Sequence, residues 1–177
     1  MAEVVRGLAD LYHTFEAAPD RLNGITVLHT GTIKGGTDYA TYPSQCVLGI
    51  EIGTQPGEKL ANRVADIERV FEDVRRRYPE FRGEVRVNIE RDPFKAVGHE
   101  GLVAAAAKAT RQVAGRGLTE VGLNAWTDAA LMQDAGIPTI LLGAEGGNFH
   151  TSDEWVSLPE CVQMVEIVRQ TAMQVCA

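Results

Sequence analysis

His150 is the residue of this chain best placed to do chemistry, and its surroundings in the sequence are the reason. It follows Pro138-Thr-Ile-Leu-Leu-Gly143, a short and almost wholly apolar run, and then the glycine loop Gly143-Ala-Glu-Gly-Gly147. Loops at the carboxyl ends of buried strands are where α/β sheets carry ligand-binding groups. An imidazole offers a neutral nitrogen to a divalent cation, and a carboxylate or carbonyl can orient its second ring nitrogen. Asp153 and Glu154 follow closely, and Asp128 heads a helical segment upstream. Zinc sites take three or four protein ligands, and no second histidine or Cys-x-x-Cys lies near. Glu154 reads equally as a solvated loop acid or as an acceptor for a backbone donor.

Other chemistries have less support. His13 lies on a surface helix and His99 at a helix start, so both are expected to be solvated. His29 falls in a strand beside a glycine turn, as a structural residue or a substrate contact. Cys46 belongs to a strand pattern and Cys161 and Cys176 to a helix. Odd in number and far apart, they are expected as free thiols in a reducing cytoplasm. No Gly-x-Ser-x-Gly elbow, phosphate-binding loop or dinucleotide fingerprint is present, and no Lys-Ser/Thr pair follows Gly147.

Twenty-four acidic residues against seventeen basic ones give a net charge of -7, which argues against a nucleic-acid partner. The one basic run, Arg75-Arg76-Arg77, closes a helical stretch, where it complements the helix dipole. No apolar run approaches the ~20 residues of a spanning helix, and the N-terminus lacks a signal-peptide core.

The elements that must position these groups follow from periodicity. Val4, Val5, Leu8, Leu11, Tyr12 and Phe15 recur at helical spacing, and this helix opens with almost no lead-in. β-Branched residues from Ile25 to Ile33 predict a strand, and Cys46, Leu48, Ile50 and Ile52 alternate as a second. Thr54-Gln-Pro-Gly-Glu58 is expected to open a helix with Leu60, Val64, Ile67, Phe71 and Val74 as its apolar stripe. Val85, Val87 and Ile89 predict a third strand. One strand added in front would complete β-α-β-β-α-β, a ferredoxin-like sandwich, so this half is read as lacking its first strand.

After Asp92-Pro93 the composition shifts. An Ala-rich helix over 102–113 ends at Gly115 and Gly117, a short helix runs from Thr127-Asp128 to Gly136, and 138–142 reads as a buried parallel strand. Ser157-Leu-Pro-Glu160 is expected to be a capping box that opens the last helix. The fold class is α/β, with domains at 1–92 and 93–177.

Two stretches carry a family resemblance. Thr32-Ile-Lys-Gly-Gly-Thr-Asp-Tyr-Ala-Thr-Tyr-Pro-Ser-Gln-Cys-Val-Leu48 with Glu51-Ile-Gly-Thr-Gln-Pro-Gly-Glu58 resembles the lid domain of M20 zinc amidohydrolases. Ala125-Trp-Thr-Asp-Ala-Ala-Leu131, Ala135-Gly-Ile-Pro-Thr139 and Gly143-Ala-Glu-Gly-Gly-Asn-Phe-His-Thr-Ser-Asp-Glu154 resemble that family's C-terminal catalytic segment. The resemblance covers nearly the whole chain. It implies a lid (dimerisation) domain at 1–92 and the C-terminal segment of a catalytic domain at 93–177. The implied enzyme is a homodimer that binds two zinc ions and cleaves the amide bond of N-acyl amino acids or short peptides. There, paired zinc ions activate a bridging water and a glutamate acts as general base.

Residue by residue, the resemblance assigns His150 to the last metal ligand, and Thr127, Asp128, Gly146 and Gly147 to the substrate pocket. The family's His-x-Asp motif, bridging aspartate, Glu-Glu pair and lid histidine would all precede Met1, so no catalytic residue is assigned here. The family's strand arginine is replaced by Ile52-Gly53, and its residue ahead of the proline by Ala40. The chain alone is expected to be inactive. The alternative is a non-catalytic dimerisation or small-molecule-binding module derived from the same family.

Overall fold

Val4, Leu8 and Leu11 lie one helical turn apart and put one apolar stripe on α1 (Ala2–Thr14), in which Val4 and Leu8 are buried. A single 3-10 turn, Phe15–Ala17, then carries Phe15 into the same core. β1 (Val27–Gly35) and β2 (Cys46–Gly53) pair antiparallel, with His29 opposite Glu51 and a register shift between Thr30 and Thr32. α2 (Leu60–Arg77) buries Ile67, Val70, Phe71 and Val74, and Arg75, Arg76 and Arg77 fill its last turn. Leu28, Leu48, Ile50 and Ile52 meet the two helices across this core. A Cβ at Gly7 would stand 2.6 Å from Val70 Cγ1, so the glycine permits close approach of α1 and α2.

The computed structural model describes residues 1–176. They form two compact units: Met1–Pro93 with Val121–Trp126, and Phe94–Glu120 with the chain from Thr127 onward. Within the first unit, Val121–Trp126 returns to Leu22 and Asn23. There a Cβ on Gly122 would fall 2.5 Å from the Leu22 carbonyl, and Arg91 lies over the Trp126 ring.

Two expectations for this unit are corrected. Residues 84–90 form no strand, although Val85 packs on the core, and Val87 and Ile89 are exposed. The first unit therefore shows two helices on a two-stranded ribbon. Among the described residues no strand pairs with 84–90, so its alternation has no ladder to join. The helix also starts at Leu60 rather than at Pro56, because Gly57 (φ 94°) turns the chain first.

The turn is held by a polar cluster. Glu58 Oε2 accepts from the Thr26 hydroxyl at 2.5 Å and from the Gln55 N–H at 2.8 Å, and Oε1 accepts from Arg63 at 3.1 Å. Gln55 Nε2 donates to the Ile25 carbonyl at 2.8 Å. Thr26 and Gln55 are buried, so removing the carboxylate strands two donors and leaves Asp66 as the carboxylate paired with Arg63. Glu58→Ala should cost about 1–3 kcal/mol, read as a lower urea midpoint at unchanged slope. Loss of under about 0.5 kcal/mol, the range of a featureless surface site, would remove the cluster's structural role.

In the second unit, α3 (Glu100–Ala114) ends on Gly115 in the left-handed region (φ 68°). Its small residues Ala105, Ala106 and Ala109 are buried where it packs on α5 (Leu158–Val175), which buries Ile167 and Thr171. The buried Thr110 and Thr171 hydroxyls donate to the carbonyls four residues back. Between them lie α4 (Ala129–Asp134) and a two-rung ribbon of β3 (Gly146–Gly147) and β4 (Trp155–Val156).

Residues 138–142 form no strand, and Leu141 is 46% exposed. A buried parallel strand needs partners on its edges, and no described strand runs beside it. The capping box is absent too, since neither α5 nor any other helix shows a side-chain cap at its first residue. The expected first strand, the helix over 102–113 and the short helix ending at Gly136 stand where periodicity and glycine placed them.

Candidate functional site

The glycine pair sets the site's backbone. A Cβ on Gly146 would lie 2.8 Å from the Trp155 carbonyl, and one on Gly147 would lie 2.8 Å from Trp155 Nε1. Only glycines let β3 lie this close to β4. Asn148 and His150 then adopt left-handed backbones (φ 56° and 65°) to reverse the chain. Asparagine tolerates this region, and a histidine there marks a constrained turn.

Side chains explain the constraint. Asp153 accepts from the Thr151 hydroxyl at 2.7 Å and from Asn148 Nδ2 at 3.0 Å. The Thr151 hydroxyl, its strongest partner, helps hold the Asp153 carboxyl below the ordinary aspartate range, and Asn148 adds to this. Glu154 Oε2 accepts the backbone N–H of His150 at 3.2 Å, one of the two roles its sequence position allowed. Both acids nearest His150 are thus engaged in shaping the turn, and the imidazole itself is exposed.

The other expected positions are distributed around α4. Thr127 is half-buried and its hydroxyl accepts the Ala129 N–H at 3.4 Å, while Asp128 is exposed at the helix start without a side-chain cap. Gly146 and Gly147 sit in the ribbon that leads to His150. Among the described residues no group of three or more His, Cys, Asp or Glu side chains could hold a metal ion. His150 offers a single ligand, so the residues present do not by themselves fit a zinc site.

Among the other histidines, His13 is exposed near Glu16, and His29 is exposed across from Glu51 with Nδ1 at 3.7 Å from Oε2. His99 departs from its expected solvation: it is half-buried, and its Nδ1 is buried without a hydrogen-bond partner. The three cysteines are free. No helix among the described residues is long and apolar enough to cross a membrane. Two positions escaped the sequence reading, Asn148 and Arg116, the second pairing with Glu160 at 2.7 Å. Asn148 carried a signal, since asparagine after a glycine pair favours a left-handed turn.

The ligand count sets an expectation for residues 1–177. Four-ligand zinc sites in small domains bind with about 10–16 kcal/mol. An equal share for one imidazole is about 2.5–4 kcal/mol, a millimolar or weaker affinity. Calorimetric titration with zinc should show no tighter binding, and His150→Ala should change the isotherm little. Stoichiometric zinc retained against a chelator would contradict this.

The profile of the family described as Peptidase family M20/M25/M40 matches residues 6–174. No curated protein matches the chain by sequence. Among solved structures, the aminopeptidase PepT of Bacillus cereus ATCC 10987 superposes with a TM-score of 0.62 at 22% identity. The superposition covers 96% of this chain and 46% of that one, so the chain spans about half the length of the structure it resembles.

Proposed function

The chain belongs to peptidase family M20/M25/M40, and we propose that it supplies the lid and the C-terminal edge of a zinc-dependent amidohydrolase site. The observation that carries this reading is the pairing of a nearly full-length family match with a span of 46% of the similar aminopeptidase. In this reading residues 1–92 are the lid without its first strand, and residues 93–177, which include His150, are the closing segment of a catalytic domain. His150 would be the one metal ligand contributed here, and zinc held together with ligands from outside these residues would supply Lewis acidity to the amide carbonyl. Thr127, Asp128, Gly146 and Gly147 border the substrate, an N-acyl amino acid or short peptide. The general base and the remaining ligands come from outside these residues.

Exposed apolar surface supports the reading. On α5, Leu158, Val162 and Val165 are 74%, 73% and 72% exposed along one face, opposite the face that packs on α3. The run at 138–142 lacks strand partners as well. Such surface suits burial against the strands of a completed catalytic domain. Both strands of the β1–β2 ribbon keep a free edge among the described residues, which suits a homodimer formed through the lid. Free cysteines suit a reducing cytoplasm.

The test is complementation. The preceding half of a close relative, joined to residues 1–177, should yield a zinc-dependent hydrolase. A fused protein that folds and binds metal but cleaves no N-acyl amino acid or short peptide would favour the non-catalytic module instead.

A further inference from the structure

We propose that Glu160 is a positioning residue, holding the glycine strap and the His150 turn in register through the backbone N–H of Glu145. Its Oε2 accepts that N–H at 2.7 Å, and its Oε1 accepts from Arg116 Nη2 at 2.7 Å. The Glu145 carbonyl in turn accepts the Ser157 N–H at 2.8 Å. Glu145 is therefore held on both sides, one residue before Gly146 pairs with Val156.

The sequence pattern Ser157-x-x-Glu160 makes the assignment specific. In a capping box this glutamate would reach back to the Ser157 N–H. Here the Ser157 N–H goes to the Glu145 carbonyl, and the glutamate goes to the Glu145 N–H. The donor and the acceptor of that one bond are both redirected from the helix to the strap. The strap needs them, because a two-rung ribbon is too short to be stable alone and its glycines add backbone freedom without packing. A carboxylate is a strong acceptor for a backbone N–H. Arg116, at the end of α3, fixes its rotamer, and the Glu160 side chain is only 23% exposed.

The functional meaning of this role rests on the reading of His150 and Gly146-Gly147 as a ligand and substrate edge. Its test does not, because neither metal nor substrate is needed. Amide hydrogen exchange on residues 1–177 should show Glu145 and Ser157 exchanging at least about tenfold faster in Glu160→Ala, with Ile167 and Thr171 in α5 within about twofold of the parent. Glu160→Gln keeps an acceptor oxygen and should return both amides to within about threefold. Arg116→Gln, which leaves the acceptor but frees its rotamer, should fall between and serves if the alanine variant folds poorly. The His150 ring resonances should broaden or split in Glu160→Ala and sharpen again in Glu160→Gln.

Unchanged exchange at Glu145 and Ser157 in Glu160→Ala would overturn the proposal. So would an equal rise at Ile167 and Thr171, which would make Glu160 a helix-stabilising residue only, or a glutamine variant as fast as the alanine one. A zinc-free fused protein combined with the expected exchange pattern would sink the zinc reading and leave the positioning role standing.

Discussion

In a protein that joins the preceding half of a close relative to residues 1–177, His150→Ala should lower the rate of amide hydrolysis more than about a hundredfold. Removing residues that merely orient a metal ligand already costs about 10–100-fold, and removing the ligand itself should exceed that. His13→Ala, an exposed histidine on α1, should leave the rate within about twofold and controls for histidine loss in general. Metal content separates two causes. If His150 is a ligand, the alanine variant should also lose zinc on dialysis, because site formation and metal binding are coupled. An unchanged rate with two metals retained would show that the assignment of His150 is wrong. Joining the halves should also protect amides at 138–142, now open, if that run gains strand partners. Continued fast exchange there in an active fused protein would separate the chemistry from the docking argument.

What the sequence made legible was local. Apolar spacing located α1, α2, α3 and α5, and Gly115 and Gly136 marked helix ends, because 3.6-residue periodicity and left-handed backbones are properties of a few adjacent residues. Strand patterns at 85–89 and 138–142 were equally clear, yet neither is a strand here. A strand is defined by its neighbour, and alternation can say that a segment is fit to pair without saying that a partner is present. The capping box failed for a related reason. Ser157 and Glu160 had the right spacing, but the Glu145 backbone, twelve residues before Ser157, competed for both. The apolar run and glycine loop ahead of His150 are what single it out as a candidate. The turn that holds it depends on Asn148, Thr151 and Asp153 acting together, and Arg116, just beyond the end of α3, lay too far along the chain for spacing to implicate it.

The other large effect concerns stability and belongs to α1. Leu8 is 1% exposed, the largest side chain wholly enclosed in the described structure, and it is surrounded by the core that α1, α2 and the β1–β2 ribbon share. Leu8→Ala removes three buried carbons and leaves a cavity that the neighbouring glycine cannot fill by a shift of the helix. Gly7 already brings α1 against Val70, so the helices have little room to close. Substitutions of this kind cost about 2–5 kcal/mol, and more where the site cannot collapse. A domain of this size holds about 5–15 kcal/mol in all, so the variant should lose a large share of the first unit's stability. Urea denaturation followed by exchange-protected amides in β1, β2 and α2 should show the midpoint falling at unchanged slope. Amides of α3 and α5, which belong to the other compact unit, should keep their midpoint. A loss below about 1 kcal/mol would mean that the Leu8 site collapses after all. A matching loss in α3 and α5 would mean that the two units unfold as one.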